Sequence, residues 1–287
     1  MNNKGGSTIR ARAEWKAAER LEELRDSSIF RDTHQGYTKL PEQNLIPGVE
    51  ESDFWSDLGA GAGNELVDDS RGPAKFCAAF SSSALAVNAF GPFRHRPQNL
   101  DLVGYKGFSD AQFEKPLPTG LRGTDPHLDF YAAGPAQIVC IESKFLEPLW
   151  PKVAKFADSY EGAIESLAES MWTAVYSELK SDPRLFKFLD AAQLVKHYLG
   201  MRNTLGRIQA EQALLYVYWE PDNSSDLVEY RKHGEEVAYF TQAVANSQIR
   251  FVAKTYRQLW DEWRDSSAWG GMKAHLFNLE QRYSFSI

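Results

Sequence analysis

The sequence predicts an α/β domain in which a central mixed β-sheet is flanked by helices, and three observations predict it. Two β-rich runs, His127 to Ala133 and Ile138 to Phe145, enclose the four-residue turn Gly134-Pro135-Ala136-Gln137, with Pro where its fixed φ favours reversal. After this hairpin, strand-like runs alternate with helix-like ones, the order that lays helices over a sheet with parallel members. Among 287 residues, 43% are hydrophobic and 13% aromatic against 25% charged, which supplies a sizeable core and excludes disorder as the dominant state.

Taken in chain order, residues 7 to 26 read as a helix, with Ile9, Ala13, Trp15, Ala17, Leu21 and Leu24 forming a loose apolar stripe. The turn-rich segment from Arg31 to Glu51 has no sustained period and reads as a connection. Residues 1–50 are therefore expected to form a helical arm and connecting segment, and residues 51–287 the main domain. Residues 52 to 58 read as a short helix, and the glycines of LGAGAGNEL as a loop. Ser81, Ser82 and Ser83 offer N-cap hydroxyls and Gly91-Pro92 a stop, which predicts a helix from Ser83 to Phe90. Beyond the hairpin, Ile164, Leu167, Met171, Trp172, Val175 and Leu179 recur at helical steps, and a second helix is expected from Pro183 to Arg207. Ala213 to Trp219 and Ile249 to Tyr256 read as strands, residues 225 to 246 and Tyr256 to Asp265 as helices. There is no internal repeat.

The chain carries 39 acidic against 32 basic residues, a net charge of −7, which argues against bulk electrostatic coating of nucleic acid, so any such contact must be local or helped by a metal ion. No apolar stretch approaches the roughly 18 residues of a membrane span, and the opening residues are charged where a signal peptide is apolar. The expectation is a cytoplasmic protein with no membrane partner. Two cysteines, Cys77 and Cys140, build no disulfide framework or structural zinc site and read as reduced core residues.

The chemistry concentrates in the hairpin. Glu-x-Lys occurs three times, at Glu14, Glu142 and Glu178, but only Glu142-Ser143-Lys144 lies in a strand, whose period of two puts Glu142 and Lys144 on one face with Ile138 and Cys140. If Ala133 pairs with Ile138, Tyr131 faces Cys140, Asp129 faces Glu142 and His127 faces Lys144. Directly opposed like charges destabilise a sheet, whereas a hard cation shared by two carboxylates relieves the conflict. A solvated face would also tolerate the pair, but the run IVCI before Glu142 reads as buried. A Mg²⁺ site follows, with Asp129, Glu142 and the Ser143 carbonyl as ligands. Lys144 would orient or deprotonate an attacking water and offset charge building on a phosphate.

Asp129, twelve intervening residues and Glu142-x-Lys144 resemble the signature of the PD-(D/E)xK nuclease superfamily. The longer stretches GNELVDDSRGPAKFCAAFSSSALAVNAFGPF and PHLDFYAAGPAQIVCIESKFLE resemble a family of restriction-endonuclease-like bacterial proteins within it, extending the match to most of residues 60 to 220. The resemblance implies a restriction-endonuclease-like core and a Mg²⁺- or Mn²⁺-dependent phosphodiesterase acting on DNA, with Asp129 and Glu142 as metal ligands and Lys144 as the catalytic lysine. Many members add an acid before the hairpin; Glu65 is the candidate, with Asp68 and Asp69 as rivals, against a reading as a helix N-terminal acid. RecB-type members carry Gln followed four residues later by Tyr, whereas here Gln193 is followed by His197, with Tyr198 one place further.

For substrate contact, the Pro183 to Arg207 stretch is locally basic, holding Arg184, Lys187, Lys196, Arg202 and Arg207, and Arg94-His95-Arg96 forms a second cluster. Gln193, Lys196, Arg202, His127 and Ser82 are the residues expected to meet substrate, weighed against ordinary solvated or packing roles. Trp260 and Trp263 read as core packing ahead of base stacking. The competing expectation is a DNA-binding or protein-interaction module that keeps this fold without turnover. The oligomeric state, a homodimer among the options, and the choice between ends and internal bonds are not encoded in any motif.

Overall fold

The computed structural model describes residues 8–60, 65–70 and 72–287. Among them, five strands form one sheet in chain order: β1 (Asp110–Pro116), β2 (His127–Ala133), β3 (Gln137–Lys144), β4 (Glu211–Tyr218) and β5 (Ile249–Thr255). β1, β2 and β3 pair antiparallel, and β4 and β5 continue parallel to β3. The helices are α1 (Ile9–Leu24), α2 (Trp55–Ala60), α3 (Ser82–Arg94), α4 (Tyr160–Leu167), α5 (Ser170–Ser181), α6 (Ala191–Leu205), α7 (Val228–Ala243), α8 (Tyr256–Ser266) and α9 (Met272–Tyr283). This is the α/β architecture expected, and no helix among the described residues is long and apolar enough to cross a membrane.

Alternation along the strands splits the core into two layers. Phe113, Phe130, Val139, Ile141 and Leu215 pack with Leu85 and Phe90 of α3, Trp263 of α8 and Leu279 of α9. On the other face Tyr131, Ile138, Cys140, Leu214 and Tyr216 meet Trp172 of α5, Leu194 and Tyr198 of α6, and Phe240 of α7. β3 runs between β2 and β4 and is buried from Gln137 to Ser143, which is why its sequence is nearly continuous in apolar residues. Both cysteines are buried and free. Ala13 and Ala17 of α1, with Leu45, Ile46 and Val49, share the first layer's cluster with residues far beyond position 50.

The hairpin pairs as its turn dictates, Ala133 with Ile138 and Tyr131 with Cys140. Elsewhere tertiary contacts override local signals. α3 runs through Gly91-Pro92 to Arg94 instead of stopping at Phe90. Gly91 serves close packing, since a Cβ there would lie 2.9 Å from Val49 Cγ1. The helix expected from Pro183 starts only at Ala191, because the Glu236 carboxylate accepts the backbone N–H groups of Lys187, Phe188 and Leu189 at 2.8 Å each, and Asp190 caps α6 through Gln193 N at 3.1 Å. The run from Ile164 to Leu179 is broken into α4 and α5 at Ala168-Glu169, where the Glu169 carboxylate reaches Gln248 N at 3.0 Å. β1 and α9 had no sequence expectation. Residue 7 and the loop glycines within 61–64 lie outside the described residues.

Candidate active site

Pairing between β2 and β3 ends at Phe130 and Ile141, and the strands part at Asp129 and Glu142. Continued antiparallel pairing would aim the Ser143 N–H at the Leu128 carbonyl. It donates instead to Asp129 Oδ2 at 2.6 Å, so the carboxylate substitutes for a ladder partner and holds the strands open. On the β1 side, Glu114 lies across from Asp129 between the pairs Phe113 with Phe130 and Lys115 with Leu128, and it interrupts the ladder with a left-handed backbone at φ 47°. A non-glycine residue held there marks local strain of the kind that clusters at working sites. Three adjacent strands thus bring Glu114, Asp129 and Glu142 to one level.

Glu142 is only 1% exposed. Its Oε1 contacts the Lys144 ammonium, and its Oε2 lies 2.7 Å from His197 Nε2 on α6. Burial pushes the Glu142 carboxyl up, but the charges of Lys144 and then His197 outweigh it and hold it low. The Lys144 ammonium is disfavoured by burial, yet Glu142, Glu147 and Asp129 keep it charged beyond the ordinary lysine range. Asp129 goes the other way: burial and the neighbouring Glu142 charge lift its carboxyl well above the usual range, with Lys144 opposing. Glu114 is raised to about 7, by burial first and then by the charges of Glu65 and Glu142. Ser143 sends its hydroxyl to the opposite layer, 2.7 Å from Tyr256 Oη, which leaves only its backbone on this side.

Glu65 joins the cluster from an irregular segment and not from a helix N-terminus, held by Lys75 Nζ at 2.9 Å and Ser83 Oγ at 3.0 Å. Its rival Asp68 is engaged by Arg31 at 2.6 and 3.0 Å. Ser83, one place beyond the expected Ser82, is therefore the serine that touches Glu65. His127 does not oppose Lys144, because the hairpin ladder has ended; it pairs with Pro116 and its Nδ1 lies 3.6 Å from Glu114 Oε2. Gln193 sits one turn before His197 on the same face of α6. Lys196 lies over the rings of Phe156 and Tyr160 at 5.6 and 5.9 Å. Arg202 is brought elsewhere, tied to the Leu167 carbonyl at 3.1 Å and Gln248 Oε1 at 2.7 Å. Arg94 is likewise spent on Asp57 at 2.6 Å, and Trp260 and Trp263 are core residues.

Two members of the cluster escaped the sequence reading. Glu114 had a weak signal in the alternation of Ala111 and Phe113 before Pro116. His197 had a better one, standing four residues after Gln193 where the compared pattern has Tyr. Tyr198 is turned into the apolar layer, stacked on Trp172 with centroids 4.0 Å apart.

A mixed sheet covered by helices, with acids and a lysine gathered where its hairpin opens, defines an α/β protein whose charged centre is built on adjacent strands. Residues 11–284 match the sequence model of the family described as restriction endonuclease associating with ARP, and the chain belongs to that restriction-endonuclease-like family. No curated protein and no solved structure matched the chain.

Proposed function

We propose that the protein is a metal-dependent nuclease of the PD-(D/E)xK kind that hydrolyses phosphodiester bonds in DNA. The observation that carries this reading is the convergence of Asp129, Glu142 and Lys144 at the opened end of the hairpin, in a chain of a restriction-endonuclease-like family. Among the described residues no three His, Cys, Asp or Glu side chains enclose an ion by themselves. Mg²⁺ and Mn²⁺ bind through one or two carboxylates and keep several waters, so Asp129 and Glu142 are the carboxylates this reading asks to serve. The raised Asp129 carboxyl, short of positive charge, fits the same cation. Asp129, Glu142 and the Ser143 carbonyl would hold the ion, which when bound polarises a phosphoryl oxygen and acidifies water.

The chain's own groups divide the remaining work. Lys144 stays an ammonium beside Glu142, so it supplies charge to a phosphate and does not take a proton. Glu114, with a carboxyl that titrates near neutrality, is suited to exchange a proton with water or a leaving oxygen. Glu65 adds negative charge at the edge nearest Ser83. The test is cleavage of circular and linear DNA with and without Mg²⁺ or Mn²⁺. Cleavage should require the metal and disappear in Lys144→Ala; equal, metal-independent activity in both proteins rejects the reading.

One observation favours a second reading, a DNA-binding or interaction module without turnover. Both oxygens of Glu142 are already engaged by Lys144 and His197. Tight DNA binding with no cleavage at any Mn²⁺ concentration would select it.

A further inference from the structure

The nuclease reading assigns no role to His197, although its imidazole reaches the centre of the cluster from another layer of the fold. The ring is 1% exposed, and Nε2 lies 2.7 Å from Glu142 Oε2, while Lys144 engages Oε1. Each oxygen of this carboxylate is thus held from a different side, one by a residue two places along the same strand and one by a helix of the parallel crossover. We propose that His197 is a positioning residue, fixing the Glu142 carboxylate so that it presents one orientation to a divalent cation. This inference rests on the nuclease reading above.

Three features support it. The first is rigidity. Asp190 caps α6, and Leu194, Val195, Tyr198, Leu199 and Met201 around the histidine are all buried, so the ring has no route of retreat. The second is the choice of partner. The other deeply buried histidines hold neutral groups, His233 the Tyr216 hydroxyl at 2.9 Å and His275 the Ala89 carbonyl at 3.0 Å. His197 alone among these three meets a carboxylate. The third is the rest of the ring: Nδ1 has no partner among the described residues, so the Glu142 carboxylate is the one polar group this buried imidazole approaches. The imidazole is thus committed to the carboxylate that would hold the ion, and holding that group in one orientation is what aiming a ligand requires. Partners that orient metal-binding side chains typically govern metal affinity by about 10- to 100-fold.

The experiment is calorimetric titration of the full chain with Mn²⁺, for wild type, His197→Phe and His197→Asn, each also in a Glu142→Gln background. It is paired with DNA cleavage and with metal-free melting as a check on folding. His197→Phe should weaken Mn²⁺ binding by about 10- to 100-fold and lower kcat with little change in KM for DNA. His197→Asn, which keeps an N–H donor, should recover much of the loss. In the Glu142→Gln background neither change should weaken Mn²⁺ further, because the carboxylate being aimed is gone. Unaltered Mn²⁺ affinity in a folded His197→Phe protein overturns the inference, as does an equal further loss in the Glu142→Gln background. Should His197→Phe fail to fold, the Asn variants decide between the outcomes: an effect that vanishes with Glu142→Gln supports positioning, and equal effects in both backgrounds refute it. If wild type neither binds Mn²⁺ nor cleaves with it, the nuclease reading fails and takes this inference with it; cleavage by wild type with indifferent variants removes the inference alone.

Discussion

Replacing Glu114 by Gln should make the protein more stable at alkaline pH and less active. The Glu114 side chain is 17% exposed, and its carboxyl sits at about 7 in the fold against an ordinary 4.5. A raised carboxyl means that the folded state holds its proton while the unfolded chain releases it. Stability is therefore complete below pH 4.5 and is lost as pH rises through 7, after which the deficit is constant. A displacement of that size corresponds to about 3 kcal/mol at pH 8 and under about 0.5 kcal/mol at pH 4.5. Gln keeps the shape without the charge, so Glu114→Gln should recover nearly all of it. Urea unfolding of both proteins at pH 4.5 and pH 8 reads the difference directly, and Glu65→Gln, which removes the second-largest cause, should shrink the benefit. Equal stability of wild type and Glu114→Gln at pH 8, or a benefit that persists undiminished at pH 4.5, refutes the electrostatic account of this cluster.

Lys144→Ala should abolish metal-dependent cleavage and also destabilise the fold by about 3 kcal/mol in urea, since it strips the ammonium partner from a buried carboxylate. Acid should weaken the protein through two buried neutral histidines: burial lowers His233 to about 3 and His275 to about 4, so each costs about 2 kcal/mol by pH 5 relative to pH 7.5, lost as pH falls below 6.5. Denaturant midpoints of His275→Asn and wild type should converge as pH drops if this is right. Asp57→Ala should cost about 3 kcal/mol, because one carboxylate serves both Arg94 at 2.6 Å and Phe113 N at 3.0 Å and so ties α3 to β1. An unchanged urea midpoint would show that this tie is not needed.

How much of this was legible depended on how local the governing forces are. The turn end of the hairpin was readable, because a four-residue turn fixes register and strand alternation then fixes facing, which put Glu142 and Lys144 on a common side. The opening of that hairpin was not readable. It depends on Asp129 taking the Ser143 N–H, a side-chain contact that competes with the ladder, and it sends His127 to Glu114 in place of Lys144. β1 was hidden because Glu114 breaks the strand's backbone at the residue that matters. The start of α6 was misplaced because Glu236, on α7, removes the donors that the expected first turns would have used. His197 is the instructive case: its helix position was visible, but what it touches lies in the sheet, and only tertiary packing decides that.

The conflicts also share a location. A sequence that specifies one structure usually agrees with itself at every level, and departures concentrate where function requires them. Here a left-handed glutamate, a broken ladder, an aspartate lifted far from its usual range and a buried imidazole 2.7 Å from a carboxylate oxygen all lie around the same carboxylates. Apolar residues at these positions would satisfy the sheet, because β2 and β3 are otherwise built for burial on both faces. Keeping charge there is rational only if something of opposite charge completes the arrangement part of the time. Lys144 alone does not, since Glu142 claims it and Asp129 remains raised beside it. A divalent cation would lower Asp129 and Glu114 together. Mn²⁺ should therefore shift the pH dependence of folding stability as well as its magnitude, flattening the loss between pH 4.5 and pH 7 expected of the metal-free protein.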